Sequence, residues 1–192
     1  TVKLDKAPTI AAYSPPGKMH WKDAVTLALT YAEIPYDIIY DQEIIEGKLN
    51  DYDWVHLNHE DFTGQYGKFY GAYRHMQWYQ NQQRYAEAQA AALGFDKVSQ
   101  LKLFVVKTIK SYVSRGGFLF AMCSATDSFD IALAAQSTDI CETMFDGDPA
   151  AADAQEHLDY SQCLAFRNFQ LIMNPFEYEY SDIDATKTRK LS

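Results

Sequence analysis

No apolar run in these 192 residues approaches the roughly 20 that a membrane-spanning helix needs, so the chain reads as soluble, with no membrane span. Positive charge is scarce. Seventeen Lys and Arg stand against 26 Asp and Glu, a formal charge of −9. No basic run or interleaved arginine–aromatic cluster is present, and phosphate backbones are bound through such patches, so nucleic acid is excluded as a partner. Cysteine is scarcer still. Cys123, Cys141 and Cys163 are too few and too irregularly spaced for a disulfide framework or a CxxC metal knuckle. Cys141 and Cys163 are left open as a pair. Internal repeats and low-complexity tracts are absent.

What is present is apolar and aromatic: 47% hydrophobic residues, with 14 Tyr, 11 Phe and 3 Trp. That supports a packed core, and the length fits one domain over residues 1–192. The chain starts at Thr1 with "TVKLDKAPTI" and ends in the polar tail "DATKTRKLS", which reads as a segment of a longer protein. No signal peptide is visible.

"TIAAY" (Thr9–Tyr13) reads as a buried strand closed by the turn signal "SPPG". Trp21, Ala24, Val25, Ala28, Leu29 and Ala32 then fall on one helical face, and Pro35 stops that helix. "YDIIYD" (Tyr36–Asp41) and "WVHL" (Trp54–Leu57) are further short strands, of the length that parallel sheets buried on both faces use. Residues 65–93 are helix-prone, with Tyr66, Phe69, Tyr70 and Tyr73 at helical spacing, either a packing stripe or a stacking surface for a sugar or other flat ligand. Val98, Leu101, Val105, Ile109 and Tyr112 share a helix face with lysines opposite, and Gly116 and Gly117 end that helix. "FLFAM" is a strand and "SATDSFDIALAA" a helix. The order β-α-β-β-α-β-α predicts a three-layer α/β/α domain of flavodoxin-like type. Its sheet is mostly parallel, with helices on both faces and right-handed crossovers.

In such sheets, ligands and catalytic groups collect at the carboxyl ends of the strands. Cys123 stands there, at the turn from strand to helix. A helix amino terminus favours the thiolate, and neighbouring N–H groups can hold an oxyanion. The alternative is a small buried filler, a common fate of free cysteine. A nucleophile needs a base. His56 and His59, in "VHLNHED" after the third strand, are the candidates, with Glu60 or Asp61 to orient the ring. His20, His75 and His157 are weaker. "HLNHE" follows a strand, not the helix that a zincin motif needs, and "FDGDP" reads as a turn instead of a calcium loop. No metal and no other cofactor is expected. Ser124, Asp127, Asn58 and Tyr66 complete the candidate ligand contacts, and the expected partner is a small molecule.

"SYVSRGGFLFAMCSATDSF" resembles the helix, Gly-Gly, strand and nucleophile-elbow layout of the class I glutamine amidotransferase-like superfamily. "DAVTLALTYAEIPYDIIYD", "HEDFTGQYGKFY" and "FAMCSATDSFDIALAA" are similar to a group of Bacteroidota proteins labelled "asparagine synthetase B". The resemblance implies Cys123 as the nucleophile of an amidotransferase or hydrolase, and a periplasmic or secreted location. This chain departs from the superfamily at Ala121 and Ala125, where glycines flank the cysteine, and at "NHED", where a glycine-rich oxyanion loop stands. It also lacks a late His-x-Glu. These departures predict no glutaminase activity in this segment alone. They keep a second function open, a non-catalytic ligand-binding or assembly module of an exported protein, with carbohydrate as one ligand class.

Overall fold

The computed structural model describes residues 6–17 and 23–185. Four short strands make one sheet: β1 (Ile10–Tyr13), β2 (Asp37–Ile39), β3 (Trp54–Leu57) and β4 (Phe118–Ala121). Their order is β2-β1-β3-β4 and every pairing is parallel. The strands lie within the segments read as short buried strands, each trimmed by no more than two residues at an end. The helices are α1 (Ala24–Tyr31), α2 (Asp41–Ile45), α3 (Tyr70–Tyr73), α4 (Gln77–Ala92), α5 (Val98–Ser114), α6 (Ser124–Ala134) and α7 (Thr143–Asp146). Helix α2, between β2 and β3, escapes a periodicity search because five residues barely exceed one turn. None of the described helices is long and apolar enough to cross a membrane.

Alternation along the strands sorts the two faces of the sheet. Ala11 and Tyr13 of β1 and Val55 and Leu57 of β3 pack with Leu101, Val105 and Ile109 of α5 in the main core. Full burial of each aliphatic side chain contributes about 1.5–3 kcal/mol, so α5 is the principal cover of this face. His56 points the other way and meets Asp23, the residue that caps α1. That second face stays open near β4, where Phe118 is 59% and Phe120 40% exposed. Trp21 and His20 lie outside the described residues.

Residues 65–93 do not form one helix. A 3-10 turn at Tyr66–Lys68 carries three consecutive left-handed residues, at φ 52°, 77° and 57°, and α3 is separated from α4 by an extended Met76. The cause is tertiary. The Asp61 carboxylate accepts from Thr63 N and Oγ1 at 2.7 and 2.6 Å and from Gly67 N at 2.8 Å. Lys68 Nζ donates to the carbonyls of Ile172 and Asn174 at 2.6 and 3.1 Å. These bonds outweigh a helix propensity of a few tenths of a kcal/mol per residue. At the end of α5, Gly117 passes under Tyr112, where a Cβ would sit 2.2 Å from the ring.

Beyond α6 the chain is largely irregular and wraps a second, smaller core of Ile131, Ala134, Phe169 and Tyr180. Asp130, buried on α6, fastens this segment by accepting from Leu164 N, Ala165 N and Phe166 N at 2.7, 2.7 and 2.8 Å. The segment is thereby held against the carboxyl ends of the strands.

Candidate functional site

β4 runs straight into α6, and the joint between them is Cys123. Met122 N donates to Leu57 O and Ala125 N to Asn58 O, so both sides of the joint are tied to the end of β3. Between those ties Cys123 adopts φ 52° and ψ −140°, a combination that only glycine enters freely. The residue is exposed, the N-cap of an 11-residue helix. Such a strand-to-helix elbow lifts its side chain clear of the sheet. Ala121 and Ala125 accommodate the turn with single methyl groups, and Ala125 is fully buried.

Two cavities meet at this joint. The first, about 390 Å³, is lined by Cys123, Ser124, Asp127, Tyr178 and Asp184 among others, and its far wall is the segment fastened by Asp130. The second, about 500 Å³, opens over the ends of β1, β2 and β3 and is lined by His59, Glu60, Asp61, Tyr66, Lys102 and Tyr85. Ser124 and Tyr178 border both. The larger cavity spans the ends of β1 and β3, where the strand order reverses and where open parallel sheets take their ligands.

Of the expected site residues, Cys123, Ser124 and Asp127 line the first cavity, and His59, Glu60 and Tyr66 the second. Asn58 serves through its backbone at the elbow. The exposed His59 has no hydrogen bond to Cys123, and no imidazole among the described residues is hydrogen-bonded to that sulfur. Glu60 turns back on its own loop, accepting from Asn58 N at 3.0 Å. Tyr66 is buried and donates to Phe145 O at 3.1 Å, a packing role with one edge on the cavity.

His56 is corrected. It is fully buried on the opposite face of the sheet, with Nε2 2.6 Å from Asp23 Oδ2 and Nδ1 3.2 Å from Phe120 O. The ring ties β3 and β4 to the cap of α1, and it borders neither cavity. His157 lies exposed beside Asp153, and His75 is exposed after α3. All three thiols are free. Cys141 donates to Thr63 O and Cys163 to Asp130 O. Asp139, Cys141 and Asp146 cluster closely enough to suit a metal, but Lys97 already places its ammonium 3.0 Å from each of the two carboxylates. In "FDGDP" Phe145 and Asp146 end α7, and the left-handed Gly147 is its C-cap.

Lys102 is the residue that sequence reasoning misplaced. It is buried, not on the solvent face of α5, and donates to both Asp41 oxygens at 3.0 and 2.8 Å, to Tyr13 Oη at 2.9 Å and to Tyr40 Oη at 3.1 Å. Tyr13 also donates to Asp41. Burial works against the Lys102 charge, but Tyr40 and Asp41 outweigh it and hold the ammonium above its ordinary range. Desolvation pushes both tyrosines up, so they remain neutral. The signal existed: Lys102 stands four residues after Val98 and three before Val105, on the apolar stripe itself. Tyr178 and Asp184 carried no comparable signal, because the segment that delivers them has no periodicity.

The first cavity contains no lysine or arginine among its lining residues. No family model, curated protein or solved structure matches this chain. Asp127 is the most perturbed carboxyl at the site. Burial first, with Asp184 and Asp61 adding to it, overrides the local N–H donors and raises it to about 6. Desolvation, then the charges of Cys123, Asp184 and Asp127, also raises Tyr178.

Proposed function

We propose that this is an amidotransferase-like α/β domain of the three-layer, flavodoxin-like type, and that Cys123 is its nucleophile, attacking an amide, ester or thioester carbonyl of a small molecule held at the strand ends. The observation that carries the reading is the backbone of Cys123. An exposed, non-glycine residue at φ 52° and ψ −140° costs roughly 1–3 kcal/mol, and strain of that kind persists where function needs a side chain presented in one direction. The helix beginning at Ser124 supplies N–H groups and a dipole on the side where an oxyanion would form. Glutamine is not expected as a substrate of this segment, since Ala121, Ala125 and "NHED" replace the superfamily's glycines.

The test is acylation by an activated ester. Incubation with p-nitrophenyl acetate should acetylate Cys123 in the folded protein, located by peptide mass mapping, and Cys123→Ala should abolish the adduct. Acetylation no faster than in the urea-unfolded chain removes the proposal. Ammonia release from glutamine should stay at the level of Cys123→Ala.

A second reading is favoured by the absence, among the described residues, of an imidazole hydrogen-bonded to the sulfur. In it the domain is a ligand-binding module of an exported protein, using the larger cavity, whose rings at Tyr66, Phe69, Tyr85 and Tyr178 suit a flat or sugar-like ligand. Calorimetry with monosaccharides separates the two. Binding that Cys123→Ala leaves unchanged, with no acetylation of wild type, supports the module.

A further inference from the structure

A cysteine nucleophile to which no imidazole among the described residues is hydrogen-bonded still needs somewhere to put its proton. We infer that the Asp127 carboxyl is the proton-transfer group for Cys123, in place of an imidazole; this rests on the nucleophilic reading of Cys123 given above. Asp127 stands one helical turn after Cys123 at the start of α6, and the two line the same cavity. Its residue is 7% exposed, so more than nine-tenths of it is buried. Oδ1 accepts from Ser128 N at 2.9 Å, and no side chain among the described residues is hydrogen-bonded to the carboxyl. A largely buried carboxyl held only by backbone N–H groups, on the wall of the cavity that also holds a strained thiol, can exchange a proton with that thiol through one water.

The groups facing Asp127 explain why it suits the task. Its own helix presents Cys123, Ser124 and the Ser128 N–H. The loop after β3 presents Asp61, and the C-terminal segment presents Tyr178, Tyr180 and Asp184. No cation is among them, and burial and the neighbouring carboxyls hold Asp127 near the pH at which acid–base catalysts work best.

The step balances as follows. The Asp127 carboxylate takes the thiol proton as sulfur bonds to the acyl carbon. The protonated carboxyl then gives that proton to the leaving oxygen or nitrogen as its bond to carbon breaks. In the second half, Asp127 takes a proton from water as water attacks the thioester, and returns it to the departing thiolate.

The experiment is the rate of Cys123 acetylation by p-nitrophenyl acetate from about pH 4 to about pH 9, in wild type, Asp127→Asn and Asp127→Glu. Asparagine preserves size and the acceptor for Ser128 N, and circular dichroism checks each variant. Wild type should gain rate with a midpoint near 6. Asp127→Asn should lose that limb and react roughly tenfold more slowly at neutral pH, and Asp127→Glu should keep the limb. If Asp127 were only a neighbouring negative charge, Asp127→Asn would react faster, because the thiolate would form more easily. A faster or unchanged Asp127→Asn, with wild type still reactive, overturns this inference alone. A wild-type Cys123 that acetylates no faster than the unfolded chain overturns the nucleophilic reading, and this inference with it.

Discussion

Cys123 and Asp127 each sacrifice stability, and both losses are measurable. Glycine enters φ 52°, ψ −140° without the Cβ clash but loses about 0.5–1 kcal/mol more chain entropy on folding. The relieved strain of roughly 1–3 kcal/mol exceeds that. Cys123→Gly should therefore be about 1 kcal/mol more stable than Cys123→Ala in urea titration, and a less stable glycine variant would mean an unstrained elbow. For Asp127 the sign comes from linkage. Its folded carboxyl is raised to about 6, above the unfolded value near 3.9, so the native state binds the proton more tightly. The stability this provides is complete below about pH 4 and is lost as pH rises through about 6, at most about 3 kcal/mol. Asp127→Asn should thus stabilise the protein at neutral pH, with the gain vanishing in acid. Thermal midpoints across that range decide it, and a gain that grows in acid contradicts the assignment. The special character of Cys123 was legible in the switch from "FLFAM" to small capping residues. The weight of Asp127 was not, because it depends on burial by a distant segment.

Between elements, the buried Lys102–Asp41 pair joins α5 to the start of α2 beneath the larger cavity. Removing one partner of such a pair leaves an uncompensated charge and typically costs about 3–5 kcal/mol, whereas replacing both by apolar groups is often neutral. Lys102→Met should be destabilised by about that amount, and adding Asp41→Leu should restore most of it, as read by urea unfolding; additive losses would mean that the pair is not coupled. Elements with a strong period were legible: α5 and α6 appear where the 3.6-residue repeat put them, and β3 matches residue for residue. Short or tertiary-determined elements were not. Helix α2 has too few residues for a period, and the turn at Tyr66–Lys68 is imposed by Asp61 and by the reach of Lys68 to Ile172 and Asn174.

Across the described residues, the carboxyl ends of the strands gather both cavities, while β4 leaves Phe118 and Phe120 exposed. Parallel sheets are ordinarily covered on both faces, and the exposed Phe118 and Phe120 sit on a strand paired only with β3 among the described strands. Unprotected edges of this kind self-associate, and a lysine is a common remedy. Phe118→Lys should lower light scattering at high protein concentration and change unfolding stability by less than about 1 kcal/mol; unchanged scattering would mean that the edge is not the sticky surface. The parallel sheet followed from the alternation of strands and helices, whereas its order β2-β1-β3-β4 had no signature in the sequence. The fastening of the C-terminal segment by Asp130 did not follow either, because backbone N–H groups 34 to 36 residues away carry no sequence signature. The fold as a whole is what should make one thiol unlike the other two. The most direct measurement is the rate of Cys123 alkylation by iodoacetamide at neutral pH, peptide-mapped, in the folded protein and in the same chain unfolded in urea. The account predicts that folding accelerates alkylation at Cys123 while it protects the buried Cys141. A Cys123 that reacts no faster folded than unfolded would contradict it.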